Sequence, residues 1–195
     1  MKKQILLVSL GLALCACRSN KDKDEDYAWE REDTTTPQAR EASAPGAFGR
    51  LDAYTAEDRD FLVRAAQGGL VEVESSRIAL TRAGSSHVRD FANKMIADHG
   101  RISDELAQHV QKRNGMLPSK VDAERQGELD RLQRLDGAEF DRAYIDFQKR
   151  AHDDAIRLFE KAAREADDAD VREFASRTLP MLRHHREMLD EKAKA

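Results

Sequence analysis

One spacing constrains this chain more than any other feature. Val88, Ala92, Met95, His99, Ile102, Leu106, His109 and Arg113 fall alternately four and three residues apart, which puts them on a single stripe of a long α-helix. A strand would need alternation by two, so the segment has no extended reading. Gly84-Ser85-Ser86 opens this helix and Asn114-Gly115 ends it. An earlier helix starts at Thr55, an N-cap residue followed by Glu57 and Asp58 in its first turn, and carries Leu62, Ala65/Ala66, Gly69, Val73, Ser76, Leu80 and Ala83. After Asp136-Gly137, expected as a cap, a third long helix holds Phe140, Tyr144, Phe147, Ala151 and Leu158 beside Ile145, His152, Ala155 and Phe159. Asp167-Asp168 restarts the chain into a fourth, with Val171, Phe174, Thr178, Leu182, His185 and Leu189.

The connections select the topology. Short turns join the first helix to the second and the third to the fourth, whereas a longer segment with Pro118 and a short helix around Asp122 to Leu135 joins the two pairs. At about 1.5 Å per residue the long helices reach about 40 Å, and the middle segment spans that length. The expectation is an all-α four-helix bundle over residues 55–192, with the single long crossover of ferritin-like folds and a short helix inside it. The pairs also repeat: Val88-Arg89-Asp90-Phe91-Ala92-Asn93-Lys94 matches Val171-Arg172-Glu173-Phe174-Ala175-Ser176-Arg177 in residue type, each just after a short turn.

Lys2-Lys3 precedes an apolar run from Ile5 to Ala16 that is too short to span a bilayer, which is the pattern of an export signal. Leu14-Cys15-Ala16-Cys17 resembles a lipobox, so residues 1–16 read as a lipoprotein signal and Cys17 as the lipid attachment site. Arg18 follows, where an Asp in such lipoproteins tends to hold them at the inner membrane; the expected address is therefore the outer membrane, facing the periplasm. Residues 17–54, charged and rich in small residues, read as a tether. With Cys15 and Cys17 the only cysteines, thiol chemistry is excluded from the bundle. Lys and Arg number 33 against 37 Asp and Glu, interleaved at helical spacing, which leaves no footprint for nucleic acid.

From Phe61 to Leu189 the chain resembles the bacterial domain of unknown function 4142. The residues that carry the likeness are Glu72-Val73-Glu74, Phe91-Ala92 with Met95 and Asp98-His99, Gly137 with Phe140-Asp141 and Tyr144, His152, and Leu179-Pro180-Met181-Leu182 followed by His185. The resemblance implies a ferritin-like fold and an envelope location; it implies no activity.

Three histidines, His99, His152 and His185, lie on core stripes, and Glu72 lies among the small residues on the inner side of the first helix. Counting turns from the two ends puts all four near one middle layer. That layer has two readings: a site for a divalent zinc, iron or manganese ion, or a polar core layer in which Glu72, Asp98 or Tyr144 satisfies the imidazoles. Glu74, Asp98 and Tyr144 are the candidate supporting residues, with Asp98 too far round its helix to pair with its neighbour His99. Di-iron bundles carry Glu-x-x-His on two helices, but Ile96 and Leu182 occupy the corresponding positions here. His184 reads as solvated, His109 as a core-edge residue, and Asp141 as a cap on the third long helix. No nucleophile, phosphate loop or acid/base pair is evident. The first expectation is a non-catalytic, membrane-anchored lipoprotein with a periplasmic protein partner or a stress role. The alternative is a metal-binding domain with a mononuclear or dinuclear centre for storage or weak redox work.

Overall fold

The computed structural model describes residues 51–192. They form α1 (Ala56–Arg82), α2 (Ser86–Gln111), the short α3 (Ala123–Gln133), α4 (Gly137–Glu165) and α5 (Ala169–Lys192). Thr55 caps α1 by accepting from the Asp58 N–H at 3.2 Å, and Asp122 caps α3 by accepting from the Arg125 N–H at 2.9 Å. At the end of α2, Asn114 turns the chain at φ 56°, a left-handed conformation that Asn tolerates better than most residues. The signal, Cys17 and most of the tether lie outside the described residues. The tether's last residues are corrected: Leu51 and Tyr54 are buried, and Arg113 stacks on the Tyr54 ring and donates to its hydroxyl at 3.1 Å.

The topology follows from which ends meet. Arg113, just past α2, pairs with Asp168 at 2.6 Å, so the end of α2 lies beside the start of α5. Gly84, between α1 and α2, lies against the start of α4, where a Cβ on it would sit 3.0 Å from the Gly137 backbone. The chain must therefore travel the length of the bundle between α2 and α4. It does so through α3, which packs on α1 and touches α4. This is the all-α, ferritin-like arrangement with one long crossover.

Both short turns are closed by the same device. Asp58 on α1 accepts the Asp167 and Asp168 N–H groups, at 3.1 and 2.9 Å, in the α4–α5 turn. Asp141 on α4 accepts the Gly84 and Ser85 N–H groups, at 3.1 and 2.9 Å, in the α1–α2 turn. Arg89 and Arg172, equivalent in the sequence repeat, bind the Ala83 and Ala166 carbonyls that end the preceding helices. Asp141 thus reaches across to the other hairpin instead of capping its own helix. Asp136 makes no side-chain cap bond either; Arg82 holds its carboxylate at 3.0 Å.

Apolar packing falls into two clusters. One gathers Phe61, Leu62, Leu106, Phe159 and Phe174; the other gathers Phe91, Met95, Phe140, Tyr144 and Leu189. Between them lies a buried polar layer.

Candidate metal centre

Each long helix sends one side chain into that layer: Glu72 from α1, His99 from α2, His152 from α4 and His185 from α5. None is more than 2% exposed. The three imidazole ring centroids are 5.4 Å apart in every pair, and one ring nitrogen from each histidine lies within 4.8 Å of the other two. The rings therefore surround a common point.

What fixes them is the nitrogen each turns away from that point. His99 Nδ1 lies 3.0 Å from Glu72 Oε2. His152 Nδ1 faces the Gln148 main-chain carbonyl one turn earlier, at 2.9 Å, and His185 Nε2 faces Asp98 Oδ2 at 2.9 Å. A carbonyl and a carboxylate only accept, so these ring nitrogens carry the hydrogens and donate. The tautomers follow from those partners. The nitrogens left over, His152 Nε2 and His185 Nδ1, face each other at 3.4 Å, and in the neutral rings both present lone pairs. Two lone pairs that close repel each other, and a cation between them would relieve the repulsion. Nitrogens on a tetrahedral zinc ion, at 2.0–2.1 Å from it, stand about 3.3 Å apart.

Two further polar atoms in the layer, His99 Nε2 and Glu72 Oε1, are buried and have no hydrogen-bond partner among the described residues. Glu72 Oε1 is 3.3 Å from His152 Nδ1, but that N–H is directed at the closer Gln148 carbonyl. Glu72 thus stands behind His99 and orients it, while Gln148 orients His152.

Charge is divided unevenly. Burial pushes the Glu72 carboxyl up, but His99, with smaller help from His152 and His185, outweighs it and brings the pKa down to about 2. His99 shows the converse: burial lowers its pKa, and the Glu72 carboxylate raises it above the usual histidine value by a larger combined effect. Burial dominates His152 and lowers it. His185 is lowered to about 4, chiefly by burial, against the pull of its bond to Asp98. Asp98 is desolvated, yet Lys94, His185 and Arg101 together hold it well below the usual carboxylate range. Without a cation, a proton in the layer therefore favours His99 beside the Glu72 carboxylate, and His152 and His185 favour the neutral form.

The structure brings together Glu72, His99, His152 and His185, as the turn counting anticipates. Asp98 does not pair with His99; it crosses to His185. Glu74 is a correction: it lies outside the layer, half-buried, paired with Arg77 three residues on. Tyr144 is buried one step along the bundle, its hydroxyl 2.7 Å from Ser76 Oγ, and it touches none of the imidazoles through a hydrogen bond. Sequence reasoning missed Gln148, whose side-chain amide donates to Ser75 at 3.1 Å and whose carbonyl holds His152. It also missed Lys94 and Arg101 around Asp98. Helical spacing carried both signals, since Gln148 precedes His152 by four residues and Lys94 precedes Asp98 by four.

A second group, His109 with Asp168 and Asp170, also has its donor atoms within 4.8 Å of one another. Arg113 already provides its positive charge, 3.1 Å from His109 Nε2 and 3.5 Å from Asp170. That group is an ion-pair cluster joining helix ends. His184 is exposed, as expected of a solvated residue.

Residues 43–191 match the domain of unknown function DUF4142. The chain belongs to that family. No curated protein matches it. Among solved structures, this DUF4142 chain is similar to a DUF305 fragment from Deinococcus radiodurans, with TM-score 0.65 and 13% identity over 73% of this chain and 99% of that one. It is also similar to a DUF305 protein from Streptomyces coelicolor, with TM-score 0.59 and 15% identity over 70% of this chain and 92% of that one. At such identities the likeness speaks for the helical fold alone.

Proposed function

We propose that this DUF4142 domain binds one divalent transition-metal ion through His99, His152 and His185, and that it is carried on a lipid anchor at Cys17 in the cell envelope. The observation that supports the metal reading most is the meeting of two imidazole lone pairs, His152 Nε2 and His185 Nδ1, at 3.4 Å. A core layer built only for packing has no reason to aim two acceptors at each other when both outer nitrogens are already satisfied. Imidazole with an outer-nitrogen carboxylate or carbonyl partner is the usual support of a histidine-ligated metal, because the partner fixes the tautomer and raises ring basicity. Three nitrogen ligands suit zinc, iron or manganese, zinc best in a tetrahedral setting. With both carboxylates of the layer, Glu72 and Asp98, behind the rings, a single ion fits and a dinuclear centre does not. A metal competes with protons for the imidazoles, above all for His99 with its raised pKa, so loading strengthens as pH rises.

Elemental analysis of protein purified without chelating resin, followed by zinc titration of the chelator-stripped chain, tests this. The expected result is one ion per chain, with a rise in thermal stability on adding zinc that disappears in His152→Ala. A metal-free protein whose melting temperature ignores zinc, iron and manganese would leave the layer as a polar core and defeat the proposal. The anchor is tested separately: fatty-acid labelling should be lost in Cys17→Ser, and persistent label removes Cys17 as the site.

A further inference from the structure

The metal centre lies at the bottom of a cavity. About 530 Å³ of space opens between α1 and α4 beneath α3, and both Glu72 and His99 line it, whereas His152 and His185 do not. Its lining is mixed: the buried side holds Val71, Phe147 and Leu182, with Ala65, Ile102 and Ala155 beside them, whereas the more exposed side is charged, with Arg64, Glu124, Arg125, Glu128, Arg150 and Asp154. A volume of this size with an apolar buried side and a few convergent polar groups is what small-molecule sites have. Of the lining residues, Glu72 and His99 each have a buried atom without a partner among the described residues, Oε1 and Nε2.

The helices explain why the opening is on this side. Three of the long helices each supply an imidazole, while α1 supplies no ligand and presents Gly68 where a side chain would fill the space. A Cβ at Gly68 would meet nothing within 4 Å, so the space beside it is open. Three nitrogens leave a tetrahedral ion with one position unfilled, which is the arrangement of reactive rather than purely structural sites. A dication held by three neutral rings, with the Glu72 and Asp98 carboxylates behind them and Lys94 and Arg101 paired with Asp98, leaves the centre net positive in a poorly solvated layer. A monoanion offsets that charge. At the mouth, Arg64 pairs with Asp60, Arg125 with Asp122 and Asp154 with Arg157, so the entrance presents little net field.

We infer that the centre, on the metal reading above, takes a small aliphatic monocarboxylate as an exogenous ligand: its head fills the fourth position of the ion and its tail lies along the cavity beside Gly68. The ligand is bound from the α1–α4 side, and Glu72 acts as a positioning residue for His99.

The test uses the full chain loaded with cobalt(II), whose visible bands report its coordination. Azide, acetate, butyrate and hexanoate are titrated in turn. All four should shift the bands, and affinity should rise from acetate to hexanoate by about fourfold for each methylene that enters the cavity. Gly68→Leu, whose Cβ meets nothing within 4 Å and whose side chain takes up space beside it, should still bind one cobalt and still respond to azide, but should lose the gain with chain length. Equal affinity for acetate and hexanoate in the wild type, a spectrum indifferent to all four anions, or a chain-length gain unchanged in Gly68→Leu would each overturn the inference while the metal site stands. Failure of the wild type to bind cobalt at all overturns the metal site itself.

Discussion

At each end of the bundle a buried or half-buried carboxylate finishes its hydrogen bonding within the chain: Asp58 and Asp141 each accept two main-chain N–H groups from a turn of the other hairpin. In the middle, Glu72 and His99 are buried as deeply as Asp58 but each leaves one polar atom without a partner. Leaving a buried polar group unsatisfied costs about 1–3 kcal/mol, a cost the ends avoid. The two regions therefore differ: saturated carboxylates hold elements together, and the unsaturated layer is the one for which an ion is proposed above.

Deleting a ligand should separate the regions most. His99→Ala, His152→Ala and His185→Ala should each lower metal affinity by about 100-fold or more, beyond the 10- to 100-fold usual for a supporting partner; calorimetric zinc titration reads this, and an unchanged affinity in any of the three removes that residue from the centre. Asp58→Ala and Asp141→Ala should each cost about 1–3 kcal/mol of stability in denaturant melts, with zinc affinity held at the wild-type level. A cap variant that also lost zinc would erase the distinction between ends and middle.

Acid should weaken the middle of the metal-free protein in a defined window. Below pH 6.5 the unfolded chain protonates His152 and His185, whereas burial keeps both neutral in the fold, His185 down to about pH 4. Protons then favour the unfolded state, so stability should fall as pH drops from 6.5 towards 4. His99 works in the opposite sense, contributing stability that is present below 6.5 and lost as pH rises through its elevated folded value. Glu72 contributes above 4.5 and loses its share only as pH approaches 2. Denaturant midpoints across pH 7 to 4.5 should therefore slope downward in the wild type and less steeply in His185→Ala. The smallest effect is the control: exposed His184→Ala should stay within about 0.5 kcal/mol and keep zinc binding, and a larger loss would mean that histidine removal as such disturbs the bundle.

Much of this was readable from spacing. The four-three stripe through His99, the short turns at Gly84-Ser85-Ser86 and Asp167-Asp168, and the length of the segment between Gly115 and Asp136 together dictate a bundle with one crossover, and the crossover puts Glu72, His99, His152 and His185 at one height. Height is a sum of turns, which a sequence records faithfully. Direction is not: Glu74 shares a segment with Glu72 but lies about 200° further round α1, and only contact with α2 and α4 decides which of the two is inside. Asp141 was misplaced for a related reason, because a carboxylate near a helix start suits its own cap as well as a neighbouring turn, and the choice depends on the other hairpin's approach. The cavity was also hidden, since small residues at Ala65, Gly68 and Gly69 equally suit close helix packing.

The exchanged caps have a kinetic consequence. Asp58 precedes its Asp167 partner by 109 positions and Asp141 follows its Gly84 partner by 57, so neither tight turn completes its hydrogen bonds from nearby residues, as an ordinary helical hairpin does. Contacts of such sequence separation form only after the intervening loop has closed, which raises contact order and slows folding relative to a bundle with local turns. Each hairpin taken alone would keep a turn with two unanswered N–H groups, and a chain cut in the crossover should regain its cooperativity only when the two pieces associate.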